Sequence, residues 1–238
     1  MKRLLPYSLI ITLACMIAVG CTSQQSDDEA MESDTTETTA TLGGGADGEV
    51  PVDWQYRLDN PATEAVVGAD TSTADIFWVN MVPGMHITSG PAAIYWDSTN
   101  TLSGDFRISS TMHLFDPGDR REAYGLFFGG RNLNADDQAY TYFLLRNGGQ
   151  YLIKQRMGSE TSIVENWTDT DAMVSYTDTT EASVPNTLAV ERSGDTLNFF
   201  VNGTQVHTMP AGDMVTEGIA GLRVNHALNL HVENFEIE

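Results

Sequence analysis

The chain is short of cysteine and lysine. Its two cysteines are Cys15 and Cys21, and beyond Lys2 its only lysine is Lys154. Without a thiol past residue 21, the body of the chain can form no disulfide, thiolate metal site or cysteine nucleophile, so its stability rests on an apolar core. Positive charge is also scarce: 33 acidic against 12 basic side chains give a net charge of −21. Nucleic acids and anionic membrane surfaces attract basic patches, and this balance argues against both as partners. No apolar run is long enough to span a bilayer, since Leu4 to Val19 falls short of the roughly 20 residues required. Glycine-rich phosphate loops and the strand-turn serine elbow are missing as well.

What the N-terminus does have is a charged start, Lys2-Arg3, then an apolar stretch, then Ala18-Val19-Gly20-Cys21. This pattern resembles a bacterial lipoprotein signal, which implies removal of residues 1–20 and lipidation of Cys21. Several acyl chains would make a lasting anchor, whereas one binds only marginally. Thr22 stands where an inner-membrane retention signal would place Asp, so the expected location is the cell envelope, at the outer membrane, with the lipid as the only membrane contact. Residues 21–53 carry nine acids, no Lys or Arg and no aromatic residue. Such a segment cannot bury enough apolar surface to offset its ordering entropy and reads as an extended tether. From Trp54 to Glu238, 24 acidic and ten basic side chains remain in a stretch suited to one domain, expected as a monomer.

Within that domain, short alternating runs are separated by Gly, Asn and Asp turns. Phe106, Ile108, Met112 and Leu114 share one face of a strand, and Arg107, Ser109, Thr111 and His113 the other. Leu188 and Val190, a turn at Ser193-Gly194, Leu197, Phe199 and Val201, and then the hairpin signal Asn202-Gly203 predict three consecutive antiparallel strands. A helical turn is expected only near Thr168 to Met173. About a dozen strands are too many for one open sheet of this size, so the predicted fold class is all-β, a two-sheet antiparallel β-sandwich.

The runs Tyr124-Gly125-Leu126-Phe127-Phe128-Gly129-Gly130-Arg131, Tyr140-Thr141-Tyr142-Phe143-Leu144-Leu145-Arg146, Phe199-Phe200-Val201-Asn202-Gly203 and Gly218-Ile219-Ala220-Gly221-Leu222-Arg223 resemble concanavalin A-like lectin/glucanase jelly rolls. Within that superfamily they are most similar to laminin-G-like bacterial domains and to 3-keto-disaccharide hydrolase domains. The resemblance implies a jelly roll and a carbohydrate ligand. It also implies a test for catalysis, because laminarinase-type members carry Glu-x-Asp-x-x-Glu or a close variant on one strand to flank the scissile bond. No such run occurs. The nearest, Glu233-Asn234-Phe235-Glu236-Ile237-Glu238, lacks the central Asp and reads as a solvated edge strand.

Two metal patterns can be weighed. His226, His231 and Glu233 lie near one another in sequence, but two histidines and one carboxylate are more often ordinary polar strand residues. Laminin-G-like and pentraxin jelly rolls often bind calcium at a rim, where Asp116, Asp119, Asp136 and Asp137 would supply ligands; Asp116-Pro117-Gly118-Asp119 is equally a turn signal. No cofactor is required by the pattern, and calcium is the one possible ion.

Register yields the most specific site. If Asn147-Gly148-Gly149 closes a three-residue hairpin, Arg146 faces Gln150, Leu144 faces Leu152, Tyr142 faces Lys154 and Tyr140 faces Arg156, while Phe143, Leu145, Tyr151 and Ile153 point to the core. Tyr140, Tyr142, Arg146, Lys154 and Arg156 then form an exposed face of rings and cations. Rings stack on sugar C–H faces, and cations bind hydroxyls or uronate carboxylates. The plainer alternative is that the tyrosines merely pack against the Lys154 and Arg156 stems. Arg107 and His113 would extend this face if their strand shares the sheet, and Trp96 and Trp167, near turns, are candidate stacking rings. The leading function is therefore a surface-anchored, non-catalytic module for a glycan or oligosaccharide. One alternative is a glycoside-cleaving enzyme resembling 3-keto-disaccharide hydrolases, with His113, His226, His231 or Tyr142 as acid–base groups. The other is a structural envelope protein that mediates protein contacts.

Overall fold

The computed structural model describes residues 45–180 and 182–238, so the signal, Cys21 and most of the tether lie outside the described residues. Among the described residues there are fifteen strands: β1 Trp54–Leu58, β2 Val67–Gly68, β3 Ile76–Asn80, β4 Met85–Thr88, β5 Ala93–Leu102, β6 Phe106–Phe115, β7 Ala123–Arg131, β8 Ala139–Arg146, β9 Gln150–Met157, β10 Glu160–Asp169, β11 Ser183–Ser193, β12 Thr196–Val201, β13 Thr204–Pro210, β14 Gly218–Val224 and β15 Asn229–Ile237. They make a seven-stranded sheet in the order β1-β5-β14-β7-β8-β9-β10 and an eight-stranded sheet in the order β13-β12-β11-β6-β15-β4-β3-β2. All pairings are antiparallel except β2 with β3. The predicted two-sheet sandwich is thus the observed fold. Ahead of β1, the Gly48 N–H donates to the Asn80 carbonyl.

Alternation explains the layers. In β6 every second residue from Phe106 is buried, and Phe106, Ile108, Met112 and Leu114 enter the core between the sheets. Phe143 of β8 meets Phe199 of β12 edge-on at 5.3 Å, and Phe128 of β7 lies 6.3 Å from the same ring. These three side chains tie the seven-stranded sheet to the eight-stranded one, and such aromatic pairs add roughly 0.5–1.5 kcal/mol beyond their buried area. The meander β11-β12-β13 forms as predicted, with Asn202 and Gly203 both at positive φ, 50° and 77°, as a type I′ turn requires. The expected helical turn near Thr168 to Met173 does not form: β10 runs to Asp169, and no helix occurs among the described residues.

Strands β7 and β8 depart from alternation. Ala123 to Gly130 and Ala139 to Leu145 are buried at every position. Antiparallel strands with one wet face alternate, so a continuous apolar run signals cover on both faces. The outer face of the seven-stranded sheet accordingly carries a second, smaller apolar cluster: Ile94, Trp96, Ala123, Phe127, Leu133, Tyr140, Tyr142, Leu144 and Leu152, with Trp167 and Ile219 packed against it. Phe127 needs a glycine beside it here, because a Cβ on Gly221 would stand 2.6 Å from its ring and 2.2 Å from the Tyr95 carbonyl oxygen.

Candidate functional site

The β8–β9 hairpin has the predicted register throughout, with Tyr140 opposite Arg156, Tyr142 opposite Lys154 and Arg146 opposite Gln150. The expected exposure is corrected. Tyr140 is 1% and Tyr142 3% exposed, so these rings are floor, not open stacking platforms. The plainer alternative of cross-strand packing therefore describes the tyrosines, and the accessible groups on this face are their polar neighbours.

Those neighbours form a charged cluster. Arg223, from β14, is 5% exposed and grips the Asp59 carboxylate with both terminal nitrogens, one bond being 2.7 Å. Its Nη1 also donates to the Tyr140 hydroxyl at 3.3 Å, and its guanidinium sits 4.9 Å from the centre of the Tyr142 ring. Arg156 approaches the same carboxylate at 3.8 Å and lies 5.9 Å from the Tyr140 ring centre. Lys154, half-buried beside Tyr142, has no carboxylate within ion-pair distance among the described residues. Burial lowers the Lys154 ammonium pKa, and the Arg223 and Arg156 charges lower it further. Burial alone would raise Asp59, but Arg223 and Arg156 outweigh it and hold the carboxyl below its usual range. Both tyrosine hydroxyls are pushed up by burial.

Along β1, Gln55 and Arg57 lead to Asp59 on one face of the chain, a span of about 13 Å at roughly 3.3 Å per residue. Arg57 donates to the Leu133 and Ala135 carbonyls at 3.1 and 2.7 Å and so fixes the loop after β7. That loop and the sheet enclose an open depression of about 310 Å³, lined by Gln55, Trp96, Ser98, Asn132, Leu133, Asn134, Ala135 and Ile219. Its size is that of a small ligand pocket. Trp96 lines it from mid-strand and is 1% exposed, so it is not the free ring near a turn that was expected.

The other expected residues are dispersed. Arg146 lies over the Trp167 ring at 4.0 Å and bonds Gln150, so one face of that indole is occupied. Arg107 and His113 are on β6 of the opposite sheet and cannot extend the tyrosine face; Arg107 pairs with Glu191 at 3.5 Å and lies over Phe200. His226 and His231 are likewise separated. His226, in the turn after β14, sits 3.9 Å from Glu122, whereas His231 bonds Glu233 at 3.0 Å beside His113 and His86. Glu233 belongs to β15, an interior strand between β6 and β4 and not an edge. Asp116 caps the Gly118 N–H, Asp136 pairs with Arg57 and Asp137 accepts from Asn132. Asp119 is exposed. Among the described residues no group of three or more His, Asp or Glu side chains is placed to hold a metal ion.

Sequence reasoning missed Asp59 and Arg223. A lone arginine in an otherwise apolar strand was the available signal, because a buried guanidinium needs an acidic partner.

No protein-family model matches the chain, and no curated protein matches it. Solved structures do. A carbohydrate-binding module, CBM66 from Bacillus subtilis, shares 16% identity over 77% of this chain and 94% of its own, with a TM-score of 0.52. A β-glucanase from Bacillus licheniformis shares 10% over 84% and 95%, with a TM-score of 0.52. The exoplasmic/lumenal domain of VIP36, solved with Ca2+ and mannose, shares 9% over 86% and 90%, with a TM-score of 0.53. These likenesses define the class: the described domain has the concanavalin A-like jelly-roll fold.

Proposed function

We propose that this chain is a cell-envelope lipoprotein whose jelly roll binds carbohydrate, without cleaving it, on the outer face of the seven-stranded sheet. The observation that carries the reading is the Asp59–Arg223–Arg156–Lys154 cluster, set over buried aromatic rings on a face whose apolar layer also supplies Trp96 and Leu133 to an open depression of about 310 Å³. Fixed donors at the margin of an apolar floor are what a sugar needs, since each pyranose offers hydroxyl acceptors at its rim and C–H groups on its faces. The carbohydrate ligands named for the similar structures are consistent with this use of the fold.

Binding is favoured over cleavage by the composition of the cluster. Glycoside hydrolysis uses two carboxylates, and the cluster offers Asp59 alone, already engaged by Arg223. His113 and His231 lie on the opposite sheet, out of reach of a ligand held here. Of the other two acid–base candidates, Tyr142 is buried in the floor with its hydroxyl pKa pushed up by burial, and His226 lies in the turn after β14. The reading is tested by affinity electrophoresis of the full chain through gels containing a panel of polysaccharides. Retardation by at least one glycan, with no release of reducing ends on prolonged incubation, is the expected result; free passage through every gel would overturn it. Lipidation is checked separately by incorporation of an alkyne fatty acid, expected in the wild type and absent in Cys21→Ala.

A further inference from the structure

We infer that the saccharide taken by this face is acidic, its carboxylate received by Lys154 and Arg156 at the margin of the Tyr140–Tyr142 floor. This rests on the glycan-binding reading and adds the class of sugar.

The cluster has too many donors for its acceptors. Three cations, Arg223, Arg156 and Lys154, surround one carboxylate, Asp59, in a chain whose net charge is −21. The Nε–H groups of Arg223 and Arg156 are buried without a partner, and no carboxylate within ion-pair distance serves Lys154. Elsewhere, Arg57, Arg107 and Arg192 each pair with an acid of their own at 3.2–3.5 Å, although the Arg57 Nε is also unpartnered. Arg120, Arg121, Arg131 and Arg146 donate to carbonyl or amide oxygens. Only around Asp59 do three cations share one carboxylate among the described residues. Acids outnumber bases in the folded part, so a local excess of two positive charges is a departure from its surroundings.

Desolvation distinguishes an acidic from a neutral sugar. A neutral ring laid over Lys154 and Arg156 would strip water from cations already half-buried and return no charge. A uronate offers two anionic oxygens in a plane, matching a guanidinium and an ammonium with charge-assisted hydrogen bonds.

The test is calorimetric titration of the full chain in detergent with matched trisaccharides: galacturonate against galactose, mannuronate against mannose and glucuronate against glucose, at low salt and at 0.5 M NaCl. One acidic trimer is expected to bind about tenfold or more tighter than its neutral counterpart, the worth of one charge-assisted hydrogen bond. High salt narrows the gap, Lys154→Met closes it and Lys154→Arg keeps most of it. If Lys154→Met does not fold, the salt response of the wild type still decides the point. Equal or tighter binding of the neutral trimers overturns the inference and leaves glycan binding standing, whereas no binding by any trimer counts against both. Preference for sulfated galactose trimers over uronates overturns the carboxylate assignment.

Discussion

Substituting Asp59→Asn removes the one negative charge in the cluster and keeps the side chain's shape. Arg223 is then left almost wholly buried with no opposite charge, and Arg156 loses the same neutralising partner. Breaking a buried ion pair from one side costs about 3–5 kcal/mol. Asp59 retains partial access to water and Asn keeps one acceptor oxygen, which places the expected loss near the lower end, about 3 kcal/mol. For a domain of this size each kcal/mol shifts the midpoint by about 2–4 °C, so thermal unfolding followed by circular dichroism should fall by about 6–12 °C. The double variant Asp59→Leu with Arg223→Met, which removes both charges, should recover much of that loss. Acid titration supplies a second readout. The Asp59 carboxyl is held below its ordinary value of 3.8 in the folded chain, so its contribution is complete above that value and is lost as pH falls through the folded pKa. The wild type should therefore lose stability below about pH 4 more steeply than Asp59→Asn. A loss under about 1 kcal/mol in Asp59→Asn, or a double variant no more stable than the single one, would refute the view that this pair organises the face.

Two further substitutions probe the layers beneath it. Phe143→Ala, at the junction of the two sheets, should destabilise by about 3–5 kcal/mol in urea unfolding, with an unchanged slope if packing alone is affected. Gly221→Ala should cost at least about 1–3 kcal/mol, because the new methyl collides with the Phe127 ring and the Tyr95 carbonyl; the companion change Phe127→Leu should relieve part of it.

Much of the architecture was legible because local patterns decided it. Alternation in β6, the Asn202-Gly203 turn and the Asn147-Gly148-Gly149 loop each specify their pairing within a few residues, and the observed registers agree at every pair of the β8–β9 hairpin. The candidate site was only half legible. Tyr140 and Tyr142 were placed on the correct face but read as open, although the unbroken apolar runs in β7 and β8 signalled cover on both sides. Asp59 and Arg223 are 164 residues apart in sequence, and the contact between them depends on β1, β5 and β14 lying side by side. For the same reason His226 and His231, five residues apart, are separated: His226 lies in the turn after β14, and His231 on β15 of the other layer.

The most direct test of the account compares three forms of the full chain by affinity electrophoresis on whichever glycan retards the wild type. If the outer face of the seven-stranded sheet is the binding surface, Lys154→Met with Arg156→Met abolishes the retardation, while Arg107→Gln on the opposite sheet leaves it unchanged. Retardation that survives the double substitution, or disappears with Arg107→Gln, would contradict the account and move the site to the other sheet.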